Sequence, residues 1–432
     1  LSNSTGAAPV ENTANSYLIS APGHYRIPLV YGNAIKNGAT NSSSYISSAP
    51  PTMIGTADMI LHNFKDHNNQ NITDPWIEKT NSGANAGVNG AKIVWADEAN
   101  LVHLSASPIA HVGGDAYLDF EVKAADIKSG NAVVAVTKNG TVVWSWHLWF
   151  APKSALTPIP VTNYQNKVYN FTEETLGWKP TKWEGSTYNT PRTVKVRVEQ
   201  TIANNGTKQV SDITITQNPG TVRTGIATLY QFGRKDAFPG TDEALPQGSI
   251  NKNVGDNMSI TYGIQFPQNF YNRGNSWDSY PPAGYSYYNL WSADNTVISF
   301  NDNAVVKTVY DPCPVGFKMP ASNAFTGFTS DGQSQGGAAN INVDDTTDGQ
   351  KYSDAYGHNF WTNSSKTTTI FFPASGCRIS NDGSFYYVGG YYWSAVPSSR
   401  VLGCYLSFTW TSVKPVDVCY RSHGVAARPV SE

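Results

Sequence analysis

Charge is scarce in this chain: Asp, Glu, Lys and Arg together make up 14% of the residues, against roughly 25% in an average soluble protein. The formal net charge is −2, so no basic field exists to hold a nucleic acid or an anionic membrane. Cysteine is missing from the first 312 residues, and all four, Cys313, Cys377, Cys404 and Cys419, fall in the last third. No apolar run approaches the ~20 residues of a membrane span, so membrane insertion is not expected. Catalytic motifs are scarce too: there is no G-x-x-x-x-G-K phosphate loop, no H-E-x-x-H and no C-x-x-C pair. The eight histidines are scattered without zinc-ligand spacing. Adjacent carboxylates at Glu173-Glu174 and Asp242-Glu243 point apart in a strand and tell nothing about the separation that a glycosidase needs. The expectation is a protein that is not an enzyme and needs no cofactor or metal.

What is present is aromatic and turn-forming. Aromatic residues reach 12%, with 37 glycines and 25 prolines among 432 residues, a mixture that favours strands, turns and long loops over helices. That length accommodates two or three domains. SYLISAPGHYRIPLV (16–30) predicts two short strands around a Pro-Gly turn, and further strands are expected over 91–104 and 116–122. AVVAV, Thr137-Lys138-Asn139-Gly140 and TVVWSWHLWF predict a tight hairpin, because Asn and Gly tolerate positive φ. His147, set among tryptophans without a partner motif, reads as a structural histidine. TVKVRVEQ (193–200) and SDITITQ (211–217), joined through Asn204-Asn205-Gly206, predict a strand pair closing an all-β unit that ends at Asn218-Pro219-Gly220.

The second half opens with TVRTGIATLYQFGRKDAFPG, in which Arg234, Lys235 and Asp236 read as a structural ion pair and turn. The segment 267–291, PQNFYNRGNSWDSYPPAGYSYYNLW, has the Tyr, Ser, Gly and Asn chemistry of an adaptable recognition loop. A loop covering a joint between domains has the same composition. Asp344, Asp345, Asp348 and Asp354 cluster with Gly349, yet Ala355 stands where a calcium loop of the EF-hand type needs a bidentate Glu. Cys313 is caged by prolines in Asp311-Pro312-Cys313-Pro314-Val315-Gly316-Phe317-Lys318-Met319-Pro320, which reads as a rigid corner.

Together, DPCPVGFKMP, FFPASGCRI, YYWSA, CYLSF and HGVAARPV resemble the major paralogous domain of Bacteroidetes and Fibrobacter surface proteins, a relative of C-type-lectin-like folds. TANSYLISAPGHYRIPLVYGNAIKNG, ITDPWI and NAVVAV with VVWSWHLW resemble the β-sandwich part of large fimbrillin-type adhesins of Bacteroidetes. The resemblance implies a mainly β fold with a small α+β part. It divides the chain into a fimbrillin-like β-sandwich over 1–220 and a C-type-lectin-like domain over 221–432, whose final strand returns beside 226–232.

It also implies an extracellular protein of the bacterial outer-membrane surface or fimbria. This would be a tip or accessory subunit whose partners are other fimbrial subunits and a host or microbial surface glycan or protein. The start at Leu1-Ser2-Asn3-Ser4 carries no basic-then-apolar leader and is expected to be trimmed. The ligand-binding residues expected are Trp277, Tyr280, Tyr285 and Tyr287 of the recognition loop, with Trp361 beside the later insertion. Alternative readings are a glycan-binding or glycan-degrading component of a nutrient-uptake system, and a structural spacer. In an exported chain four cysteines allow three disulfide pairings, among them Cys404 with Cys419; in a reducing compartment they would remain packed thiols.

Overall fold

A computed structural model describes residues 1, 10–184, 192–217, 222–274, 277, 284–336, 340–345 and 350–432. The fold is mainly β, with 41% of residues in strands and 7% in helices. Its amino-terminal centre is the expected hairpin, Gly130–Lys138 with Thr141–Phe150. Asn139 and Gly140 take φ of 51° and 86°, the left-handed geometry that a two-residue hairpin turn requires. Apart from their turn ends, both strands are buried along their length, which is why their apolar residues run continuously instead of alternating. Ser16–Ile19 adds in parallel to one side. Gly90–Ala96 and then Gln247–Gly248 add to the other, completing a five-stranded sheet. A separate three-stranded sheet holds Gly23–Pro28, Asp115–Val122 and His103–Val112.

The carboxy-terminal half is built on a larger sheet in which Gly424–Ala426 lies between Thr228–Gln231 and Gly390–Pro397, followed by Leu402–Phe408 and Ser412–Tyr420. The returning strand thus pairs beside 226–232, as the resemblance implies, with Leu229 opposite Ala426 and Tyr230 opposite Val425. The proline-caged corner is organised by one carboxylate: Asp311 Oδ1 accepts from the Cys313 N–H (2.7 Å) and Oδ2 from the Met319 N–H (2.9 Å). Phe317–Lys318 then pairs with Val430–Ser431. Corner and tail are therefore hydrogen-bonded neighbours. Arg428, fully buried, ties the tail further by donating to the carbonyls of Thr172, Glu173 and Phe371.

Residue 220 does not separate two cores. Val168–Thr172 pairs with the tail strand Val430–Ser431, and Gln247–Gly248 extends the amino-terminal sheet. Asn15 donates to the carbonyls of Val309 (2.7 Å) and Asp311 (2.8 Å), and Ser16 to that of Pro312 (2.6 Å). One hydrophobic cluster runs from Tyr17 to Val430. The expected two-unit division is thereby replaced by interleaved halves, because ladder hydrogen bonds and apolar burial both cross the proposed boundary. Deleting Gly424–Glu432 should accordingly abolish cooperative unfolding of the whole chain, amino-terminal half included, as read by near-ultraviolet circular dichroism. It removes partners of strands drawn from both halves.

Two local expectations are revised. Arg192–Glu199 and Val210–Gln217 pair as predicted, with Asn205 and Gly206 at positive φ. They do not close a unit, however, since among the described residues each pairs only with the other and Val194, Val196, Val198, Ile213 and Ile215 are exposed. All four cysteines are free. Cys404 pairs with Val418 and Cys419 with Gly403, so one residue of register puts the two thiols on opposite faces of the ladder. No helix among the described residues is long and apolar enough to cross a membrane.

Candidate functional site

The segment expected to be a recognition loop folds inward. Trp277 is 1% exposed and donates its indole N–H to the Asn272 carbonyl (2.8 Å). Tyr285 is 2% exposed, 6.3 Å from Trp277 centroid to centroid. Its ring lies against Gly263, where an added Cβ would stand 2.5 Å from the Tyr285 hydroxyl oxygen. Tyr285 buttresses the helix Ile260–Gln265, and neither buried ring offers a face to a ligand, which corrects the expectation for Trp277 and Tyr285. Tyr280 lies outside the described residues. Trp361 is half-buried on the strand Gly357–Trp361, opposite Thr369, and does not line the cleft that receives Tyr287.

Tyr287 does reach a cleft. It lines a cavity of about 450 Å³ with Leu61, Lys65, Asn69, Ser259, Ile260, Thr261, Tyr262 and Gly284, within the size range of small-ligand sites. One wall comes from the amino-terminal half. There the Asp66 carboxylate accepts from the N–H groups of Asn68 and Gln70 (both 2.9 Å), closing a turn in which Asn69 has φ of 59°. Tyr310 holds Lys65 at both its N–H and its carbonyl (2.8 and 2.6 Å), and Asn289 does the same for Leu61 (2.9 and 3.0 Å).

The other wall is the helix Ile260–Gln265. Ser259 caps it by accepting from the Tyr262 N–H (3.0 Å). Gln265 crosses to the first wall by donating to the His67 carbonyl (2.8 Å). Tyr262 is 41% exposed and Phe266, 6.1 Å away, 40%. Burial, and then Asp58, raise the Tyr287 phenol above its usual pKa, so it stays a neutral donor. The lining holds two phenol rings, hydroxyls of Ser259 and Thr261, the Asn69 amide and one ammonium, Lys65. Among the described residues it holds no carboxylate, imidazole or thiol. Such a surface can stack and hydrogen-bond a polar ring. The sequence offered Tyr287; it gave no signal for Tyr262, Lys65 or Asn69, which become neighbours only through the fold.

Other chemistry-bearing residues are engaged structurally. His147 is buried between Asn131 Oδ1 (2.9 Å from Nε2) and the Tyr230 hydroxyl (3.0 Å from Nδ1), and burial lowers its pKa to about 3. Asp345 accepts from the N–H groups of Lys351 and Tyr352 at the start of a short helix, and Asp344 pairs with Lys351 (2.8 Å). Asp348 and Gly349 lie outside the described residues. No group of three His, Cys, Asp or Glu among the described residues is placed to hold a metal ion.

Gly332-Gln333-Ser334-Gln335-Gly336 spells G-x-S-x-G, but Ser334 is exposed ahead of the two-residue strand Gln335–Gly336. It is not at a strand-to-helix turn, so no nucleophile elbow forms. A groove of about 630 Å³ on the three-stranded sheet is lined by His24, Arg26, His103, Asp119 and Glu121, among others. Arg26 and Asp119 neutralise each other there through two 2.6 Å contacts. No protein family, curated protein or solved structure matches this chain.

Proposed function

We propose that the chain is a non-catalytic recognition protein of the cell-surface adhesin type, holding a glycan in the cleft between residues 61–69 and 259–287. The observation that carries this reading is the lining itself: Tyr262 and Tyr287 supply ring faces while Asn69, Ser259, Thr261 and Lys65 supply hydrogen bonds, and among the described lining residues there is no carboxylate or imidazole. A fimbrial or outer-membrane-surface location, with other fimbrial subunits as neighbours, belongs to the same proposal and rests on the sequence resemblance. Tyr262→Ala and Tyr287→Ala should each weaken glycan binding about tenfold, roughly 1.4 kcal/mol. A glycan array followed by calorimetry on the intact chain measures this, and release of reducing sugar would move the assignment to a glycan-degrading protein. Unchanged affinity in both variants rejects the cleft. The burial of Trp277 and Tyr285 favours a second reading, a structural spacer, which would be supported if no glycan or host-protein preparation binds.

A further inference from the structure

A second cavity, of about 300 Å³, opens on the large carboxy-terminal sheet and is far less polar than the first. Three adjacent strands supply its floor. Tyr391 pairs with Ser407 and Trp393 with Tyr405, while Cys419 pairs with Gly403, so Tyr391, Tyr405 and Cys419 share one face. The Tyr391 and Tyr405 rings are nearly parallel, 10° apart with centroids at 6.2 Å. The hairpin of Cys377–Arg378 with Phe385–Tyr386 forms one wall through Cys377 and Tyr386, and His423 and Val425 form another. At the mouth, Tyr386 is 43% exposed.

We propose that this cavity is a binding site for an uncharged planar aromatic group of one or two rings, distinct from the glycan cleft. The size fits: about 300 Å³ is at the lower limit of ligand sites. The shape fits, because parallel phenol rings on the floor and a third at the rim offer offset-stacked and edge contacts to a flat guest. The electrostatics fit as well. None of the described lining residues is Asp, Glu, Lys or Arg. Burial raises the Cys377 thiol to about 12 and lowers the His423 imidazole to about 4, leaving both neutral at pH 7. The nearby Asp417 carboxylate is turned to the Ser407 hydroxyl (2.7 Å) and the Val418 N–H (2.9 Å). An anionic guest would lose its hydration with no counter-charge in return.

The test uses the intact chain with indole as the neutral probe and benzoate as the charged one. Indole should bind saturably with a dissociation constant on the order of 0.1–1 mM, as expected for a ligand of that size, and benzoate at least tenfold more weakly. Saturating indole should slow alkylation of Cys419, located by peptide mass spectrometry, about fivefold. Cys419→Phe fills the cavity and should abolish indole binding. Tyr386→Ala alters only an exposed wall and should weaken binding several-fold, which keeps the test decisive should the first variant fail to fold. No saturable binding, equal binding of benzoate, or binding untouched by Tyr386→Ala overturns the proposal.

Discussion

Replacing Asp236 with alanine should destabilise the chain by about 3–5 kcal/mol, the cost of leaving buried charge uncompensated. Asp236, Lys235 and Arg234 are each no more than 3% exposed. One carboxylate serves both cations, Lys235 Nζ at 2.7 Å on Oδ1 and Arg234 Nη2 at 3.2 Å on Oδ2. Ser145, from the amino-terminal hairpin, donates to the same Oδ1 (2.8 Å). Lys235 also lies over the Trp144 ring, 4.5 Å from its centroid. Burial draws the Lys235 pKa below its ordinary value and Asp236 opposes that shift. Without Asp236, two cations would remain in the seam between the halves with no anion among them. Chemical denaturation at pH 7 measures the effect, and a loss below 1 kcal/mol would show that the cluster is hydrated or relaxes freely. The ion pair read from the sequence is present, but its burial gives it a weight that a surface pair lacks.

Acid should destabilise the protein steeply from about pH 6.5 downward, before its carboxylates begin to protonate. His147, His358 and His423 are held neutral by burial, with pKa values lowered to about 3, 4 and 4. Asn131 accepts at Nε2 of His147 and the Tyr230 hydroxyl occupies Nδ1. Protonating Nδ1 would therefore require the Tyr230 hydroxyl to turn from donor to acceptor. Because each folded-state pKa lies below the unfolded value near 6.5, the unfolded chain binds more protons in between. The stabilisation is complete above about pH 6.5 and is lost as pH falls toward 4. Three such groups give a slope on the order of 4 kcal/mol per pH unit near pH 5, a large part of the roughly 5–15 kcal/mol by which a protein is typically stable. Urea unfolding at pH 7, 5.5 and 4.5 checks this; a flat profile would refute the neutral-histidine assignment.

Much of the architecture was legible where the signal is local. Asn139-Gly140 between β-branched runs forms the hairpin it predicts. The pairing of the tail with 228–231 is also as expected, although it came from resemblance and not from periodicity. The site was far less legible. Trp277, Tyr285 and Tyr287 sit in one Tyr-, Ser- and Gly-rich segment, yet two of them face the interior and one reaches the cleft. Composition suits a recognition loop and a packed cover equally, because rigid rings provide contact area in both.

By itself, the amino-acid sequence established a mainly β chain of low charge, punctuated by Asn-Gly turns and a proline-caged corner, because turn chemistry and β-branched runs act over a few residues. Only the tertiary structure decided that the halves interleave across residue 220, that Lys65 and Asn69 meet Tyr262 and Tyr287, and that Cys404 and Cys419 face apart. Those outcomes depend on contacts between residues about 200 or more positions apart, or on a one-residue choice of register. Apolar burial and ladder pairing settle such matters over the whole molecule, and no short window of sequence encodes them.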